Sequence, residues 1–319
     1  MDAQKIAKYV AGAREAGDKS WSEDSLRQLA ERGIPREVIG HQAWLLEADV
    51  RMTWMRWYVD GLFDRLRYVK NSHLKYADLY KEISGQLRMQ YDLAPRDEVN
   101  QAAAEISEFA WSEVQASRNI ERKGISPQMR EDLWFSAEPQ PRCALCGYQF
   151  SDWARNQFLR REGGSFAELD LPMLVDYTRP RGIKHRDLRI EVDHVTPVSA
   201  GGSTTLKNLR LTCGWCNSVK SNHRSIYETS AVCKNKISIK GVGIVALPQP
   251  LWVLRIVATR GRCEDRNGCP ASLDTHELFV ATRVEAGALT PASALVFCSE
   301  HDPWASKRYV GRSLFSVSF

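Results

Sequence analysis

The chain has 319 residues, 43% apolar and 26% charged, with a formal net charge of +5. That length suits two or three domains, and the composition excludes wholesale disorder and collagen-like repeats. The first seventeen residues are broken by charges, and no window approaches eighteen uncharged apolar residues, so the expectation is a cytoplasmic chain without a membrane span.

Residues 1–135 read as helical. Ser22 followed by Glu23 and Asp24 starts a helix, and Gly33-Ile34-Pro35 stops it. From Pro35 to about Lys70 the chain is proline-free after its first residue, with Gly40 and Gly61 as the only interior glycines. Its apolar residues, among them Trp44, Trp54, Trp57 and Tyr58, cover more than one helical face, which points to a bundle core rather than a partner groove. Helices near 74–90 and 96–122 follow, and Ser126-Pro127 reads as an N-cap with proline at the first helical position. Glu138-Pro139-Gln140-Pro141 reads as a linker. Beyond it the texture changes to short apolar runs, glycine pairs and cysteine pairs. Leu251–Ala258, Leu278–Thr282 and Ala294–Phe297 have the length and β-branched content of strands.

Charge changes along with texture. Residues 1–140 carry 20 Lys and Arg against 23 Asp and Glu, whereas residues 141–319 carry 24 against 16. All eight cysteines lie in the basic part. In a reducing compartment they are read as metal ligands rather than disulfides. Cys143-x-x-Cys146 and Cys213-x-x-Cys216 can aim four thiolates at one tetrahedral Zn²⁺, a closed and therefore structural site. Two redox pairs are the alternative reading.

Between the pairs the chain reads strand (to Asp193-His194), glycine turn (Gly201-Gly202), strand (through Asn208 into Cys213), then a short helix bearing Asn217 and Lys220. This ordered set resembles the HNH endonucleases, the ββα-metal superfamily, in the subgroup braced by four cysteines, over about 141–225. The resemblance implies an α+β chain: an N-terminal helical bundle (1–137) for recognition or a protein partner, a ββα-metal nuclease (138–232), and a β-rich zinc module (233–319). It implies hydrolysis of DNA phosphodiester bonds, with restriction or anti-phage defence as a setting. His194 is then the general base. Asp193 and Asn217 ligate Mg²⁺ or Mn²⁺, an HNN variant because many members carry histidine at the Asn217 position. Asn208 fixes the loop and so the direction of His194, and Lys220 faces phosphate. His223 is the other candidate third ligand, but six residues on from Asn217 it points elsewhere on the helix. Arg179, Arg181, Lys184 and Arg186 read as a phosphate-tracking loop. A non-catalytic, zinc-dependent nucleic-acid-binding protein with a silent nuclease fold is the rival reading.

Cys263, Cys269, Cys298 and His301 make a second closed zinc set. Its surroundings echo the first: a cysteine pair, a strand-like Leu278–Thr282, a turn containing Gly287, and Ala294–Phe297 leading into the second ligand pair. This reads as a degenerate copy of the nuclease unit, or equally as an unrelated ribbon. Cys233 has no partner in either set.

Overall fold

The computed structural model describes residues 3–18, 22–40, 43–118, 124–137, 139–160, 170–200, 202–226, 236–239, 243–246, 249–283, 289–290 and 292–315. Glu138, Gly201, Cys233 and Gly287 lie outside these residues, as does the expected boundary at 232–233.

Among the described residues the N-terminal part is built of helices: α1 Ala3–Asp18, α2 Glu23–Arg32, α3 Arg36–Ile39, α4 Ala43–Asp60, α5 Arg65–Lys70, α6 Tyr76–Gln90, α7 Arg96–Arg118 and α8 Pro127–Ser136. Local chemistry sets several ends. The Ser22 side chain accepts from Ser25 N, Gly33 closes α2 at φ 60°, and the Ser126 side chain accepts from Met129 N. The long run after Pro35 is not one helix. It breaks at both glycines: Gly40 sits at φ 56°, where a Cβ would lie 2.4 Å from Ala292 Cα. Nor does α4 form a bundle core with all its aromatics. Leu45 and Val59 are buried, but Trp54 and Trp57 are 61% and 68% exposed. The core of this part is built instead by Val59, Phe63, Tyr68, Leu79, Ile83, Leu87, Val99 and Val114, from α4 to α7.

The rest of the chain holds α9 Asp152–Leu159, β1 Leu174–Asp176, α10 His185–Leu188, β2 Ile190–His194, β3 Leu209–Cys213, α11 Gly214–Lys220, β4 Lys236–Ile239, β5 Gly243–Ala246, α12 Pro250–Arg260, β6 Leu278–Ala281, β7 Leu295–Cys298 and β8 Tyr309–Gly311. The strands pair as four two-stranded antiparallel sheets, β1–β8, β2–β3, β4–β5 and β6–β7. The expected α+β class is the one observed, with one local correction. Leu251–Ala258, read as a strand, belongs to α12. A short apolar run is ambiguous between a strand and a buried helix. Here Pro250 opens the helix, the Gln249 side chain caps it, and Gly261 ends it in the left-handed region. Leu251, Val253, Leu254, Ile256 and Val257 are all buried.

One hydrophobic core runs from Leu133 and Trp134 of α8, through β2 and β3, into α12, β6 and β7. Arg308, fully buried, ties it to the β1–β8 pair: it donates to Asp302 Oδ2 (2.5 Å), Asp176 Oδ2 (3.1 Å) and the Val280 carbonyl (2.9 Å).

Candidate functional site

Strand and helix periodicities build the site. On β2, Glu191 and Asp193 are two residues apart and share a face; on α11, Asn217 and Lys220 are three apart and share another. The two faces meet. Asn217 Nδ2 donates to Glu191 Oε2 at 2.5 Å, and Lys220 Nζ donates to Asp193 Oδ1 and to the His194 carbonyl, both at 2.7 Å. Pairing of β2 with β3 sets Asp193 opposite Arg210, whose Nε donates to Asp193 Oδ2 at 2.8 Å. Asp193 is only 3% exposed, so its charge is held by two cations in a site nearly closed to water.

His194 ends β2 and is half-buried, with Nε2 3.1 Å from Thr204 Oγ1. The loop that follows is tied by Asn208. Its Oδ1 accepts from Thr196 N (2.9 Å), and its Nδ2 donates to the carbonyls of Thr196 (3.1 Å) and Ser203 (2.9 Å). A Cβ on Gly202 would stand 1.7 Å from Thr196 O, so only glycine fits this turn.

The four cysteines Cys143, Cys146, Cys213 and Cys216 converge with their sulfurs within 4.8 Å of one another, all of them completely buried. Burial opposes ionisation there and pushes Cys213 and Cys216 well above the usual thiol range. It opposes the Cys146 thiolate too, but the other three thiols and the charge of Arg179 bring that group well below. Four converging buried sulfurs form a donor set that would suit a tetrahedral divalent cation. Cys263, Cys269, Cys298 and His301 converge within the same limit, around a cleft of about 280 Å³. Cys298 Sγ lies 3.2 Å from His301 Nδ1, and burial pushes Cys263 up to about 11. Both clusters are compatible with zinc.

Three expected phosphate contacts point elsewhere. Lys220 is buried against Asp193, because the helix turns it inward toward the nearest carboxylate. Arg179 and Arg181 are drawn into the interior by Glu277: Arg179 pairs with it closely, Arg181 Nη2 lies 2.8 Å from it, and Arg181 Nη1 lies 3.7 Å from Cys146 Sγ. Lys184 and Arg186 remain at the surface, Arg186 bonding Glu191 Oε1 at 2.7 Å. His223 is half-buried three residues past Lys220 and lines the space beside it. Glu191, Thr204 and Arg210 join the site without having been expected. Glu191 was findable two residues before Asp193, but Arg210 required the strand register.

Residues 182–223 match the HNH endonuclease family. No curated protein and no solved structure matches the chain.

Proposed function

We propose, on the premise of an HNH endonuclease domain at 182–223, that the chain is a metal-dependent endonuclease hydrolysing DNA phosphodiester bonds. What supports this reading is the docking of α11 on β2, Asn217 on Glu191 and Lys220 on Asp193 and the His194 carbonyl, with the loop after His194 fixed by Asn208.

The donor set fits a hard cation. Glu191 takes the amide nitrogen of Asn217, so the amide oxygen is turned away from it. Each Asp193 oxygen keeps a lone pair beyond its bond to Lys220 or Arg210. One carboxylate and one amide oxygen would suit Mg²⁺ or Mn²⁺, hard cations that prefer oxygen donors. Such a cation, when bound, stabilises charge on the phosphoryl and leaving oxygens. His194, its ring held by Thr204, takes the proton from the attacking water. Asn208 keeps that ring aimed by immobilising Thr196 and Ser203. A single active site cuts one strand at a time. We assign residues 1–137 to target or partner recognition, 138–232 to the nuclease and 233–319 to the zinc module, and restriction or anti-phage defence as the setting.

The rival reading, a silent nuclease fold that binds nucleic acid, has one observation in its favour: both oxygens of Asp193 already hold cationic side chains. Supercoiled plasmid with Mg²⁺ or Mn²⁺ decides between them. Open-circle product from wild type and none from His194→Ala supports the enzyme; no product from either, with retained DNA binding, supports the rival.

A further inference from the structure

A cavity of about 400 Å³ opens beside the catalytic strand, where α4, the loop after β2, the end of α11 and α12 come together. It is lined by Arg56, Arg210, Lys220, His223, Arg224 and Arg255, and by no Asp or Glu among the described residues. The carboxylates behind this wall are fewer than its cations. Glu113 lies 3.6 Å from Arg56, 3.6 Å from Arg224 and 3.0 Å from Arg65; Asp49 takes Arg255 at 2.8 Å; Asp193 takes Arg210 and Lys220. Five lining cations, Arg56, Arg210, Lys220, Arg224 and Arg255, therefore contact three carboxylates among the described residues. The Nε of Arg255 is buried and makes no hydrogen bond. A concave, partly buried surface with such an excess concentrates positive potential and draws anions.

One wall is apolar, formed by Leu251 and Leu254 of α12. The edge is Val195-Thr196-Pro197, the segment that leaves His194. Arg56 and Arg255 lie on helices outside the matched residues 182–223, so this chemistry is added by the flanking parts of the chain.

We propose that the cavity is an anion subsite for the nucleic-acid backbone. It takes one phosphate of the strand being cut, next to the scissile bond, with the attached sugar against Leu251 and Leu254. This deepens the nuclease reading and rests on it. The same phosphate chemistry could be supplied by a free nucleotide, and the test separates the two sources.

The affinity of a fluorescein-labelled DNA duplex is measured by anisotropy against salt concentration in the His194→Ala background, without added Mg²⁺ or Mn²⁺, so no cleavage is needed. Arg224→Gln is expected to lower the slope of log K against log[salt] by about 0.9, the loss of one phosphate contact. Arg224→Lys keeps the charge and should keep the slope. Arg56→Gln repeats the experiment from α4. Adenosine monophosphate is titrated in parallel. If Arg224→Gln and Arg56→Gln leave the duplex slope unchanged, the backbone subsite is overturned; loss of nucleotide binding alone then moves the cavity to a free nucleotide, and loss of neither removes the anion site. Failure of the nuclease reading shows separately, as wild-type protein that leaves plasmid uncut with Mg²⁺ or Mn²⁺.

Discussion

Around Cys143 and around Cys263 the backbone makes the same bonds. Cys143 N donates to Tyr148 O and Cys263 N to Ala271 O; Ala144 N donates to Leu211 O and Glu264 N to Val296 O. In each case the acceptor strand ends two residues later on the next cysteine, and that cysteine pairs with the first residue of its partner strand, Ile190↔Cys213 and Leu278↔Cys298. The two hairpins then diverge. After Cys213 the chain forms α11 and lays Asn217 and Lys220 on Glu191 and Asp193, whereas after Cys298 it runs into turns. By this register Asp193 and His194 correspond to Ala281 and Thr282, both buried, and Asn208 to Ser293, which caps its own local turn. A thiolate-braced hairpin is thus a scaffold, and the chemistry depends on the polar pairs between strand and helix.

The largest expected difference is between the braces. Cys213→Ser should unfold the nuclease unit, since a structural zinc contributes on the order of 10 kcal/mol to such modules, and far-ultraviolet circular dichroism with zinc analysis reads this directly. Cys298→Ser should lose one of two zincs from a cluster that is only partly buried, with a smaller fall in thermal midpoint. A protein that retains two zincs after Cys298→Ser would remove the second site. Next comes His194→Ala, expected to lower plasmid cleavage by about 10² to 10⁴ while zinc content and melting stay unchanged; Thr282→Ala, its counterpart in the second hairpin, should leave cleavage alone. Lys220→Met strands the buried Asp193 charge with Arg210 alone, at a cost of about 3–5 kcal/mol by urea denaturation. A stable variant with a reduced salt slope in DNA binding would return Lys220 to the phosphate. Smallest is Arg186→Gln. Its pair with Glu191 is exposed, so stability should move by under about 1 kcal/mol, and any loss in cleavage reports on the Asn217 amide that Glu191 holds.

Features set by short-range rules were legible in the sequence: the cysteine spacings, the Asp193-His194 pair, the caps at Ser22 and Ser126, and the helix after Cys213. What escaped depends on distant partners. Arg179 and Arg181 look like a solvated basic loop until the fold brings Glu277 to them. Lys220 looks like a phosphate ligand until α11 docks on β2. The run at 251–258 carries a single polar residue, Arg255, too little to betray a helix, because most of it is covered by the joint core. Gly40 reads as an ordinary helix glycine until Ala292 is packed against it.

The joint core also has a temporal meaning. Leu278 N donates to Cys146 O, and Asp49 of α4 accepts from Ile226 N and from Arg255. The β2–β3 hairpin is therefore closed on one side by chain made before it and on the other by chain made after it. A ribosome that has just released His194 and Asn217 has yet to supply β6, which shares the hairpin's core, and α12, which walls the basic cavity. Because chains are made from the N-terminus at roughly 5–20 residues per second, assembly of the proposed nuclease site waits on the last third of the polypeptide, and a translation product truncated before α12 carries every residue of the HNH motif without the support that holds them in register.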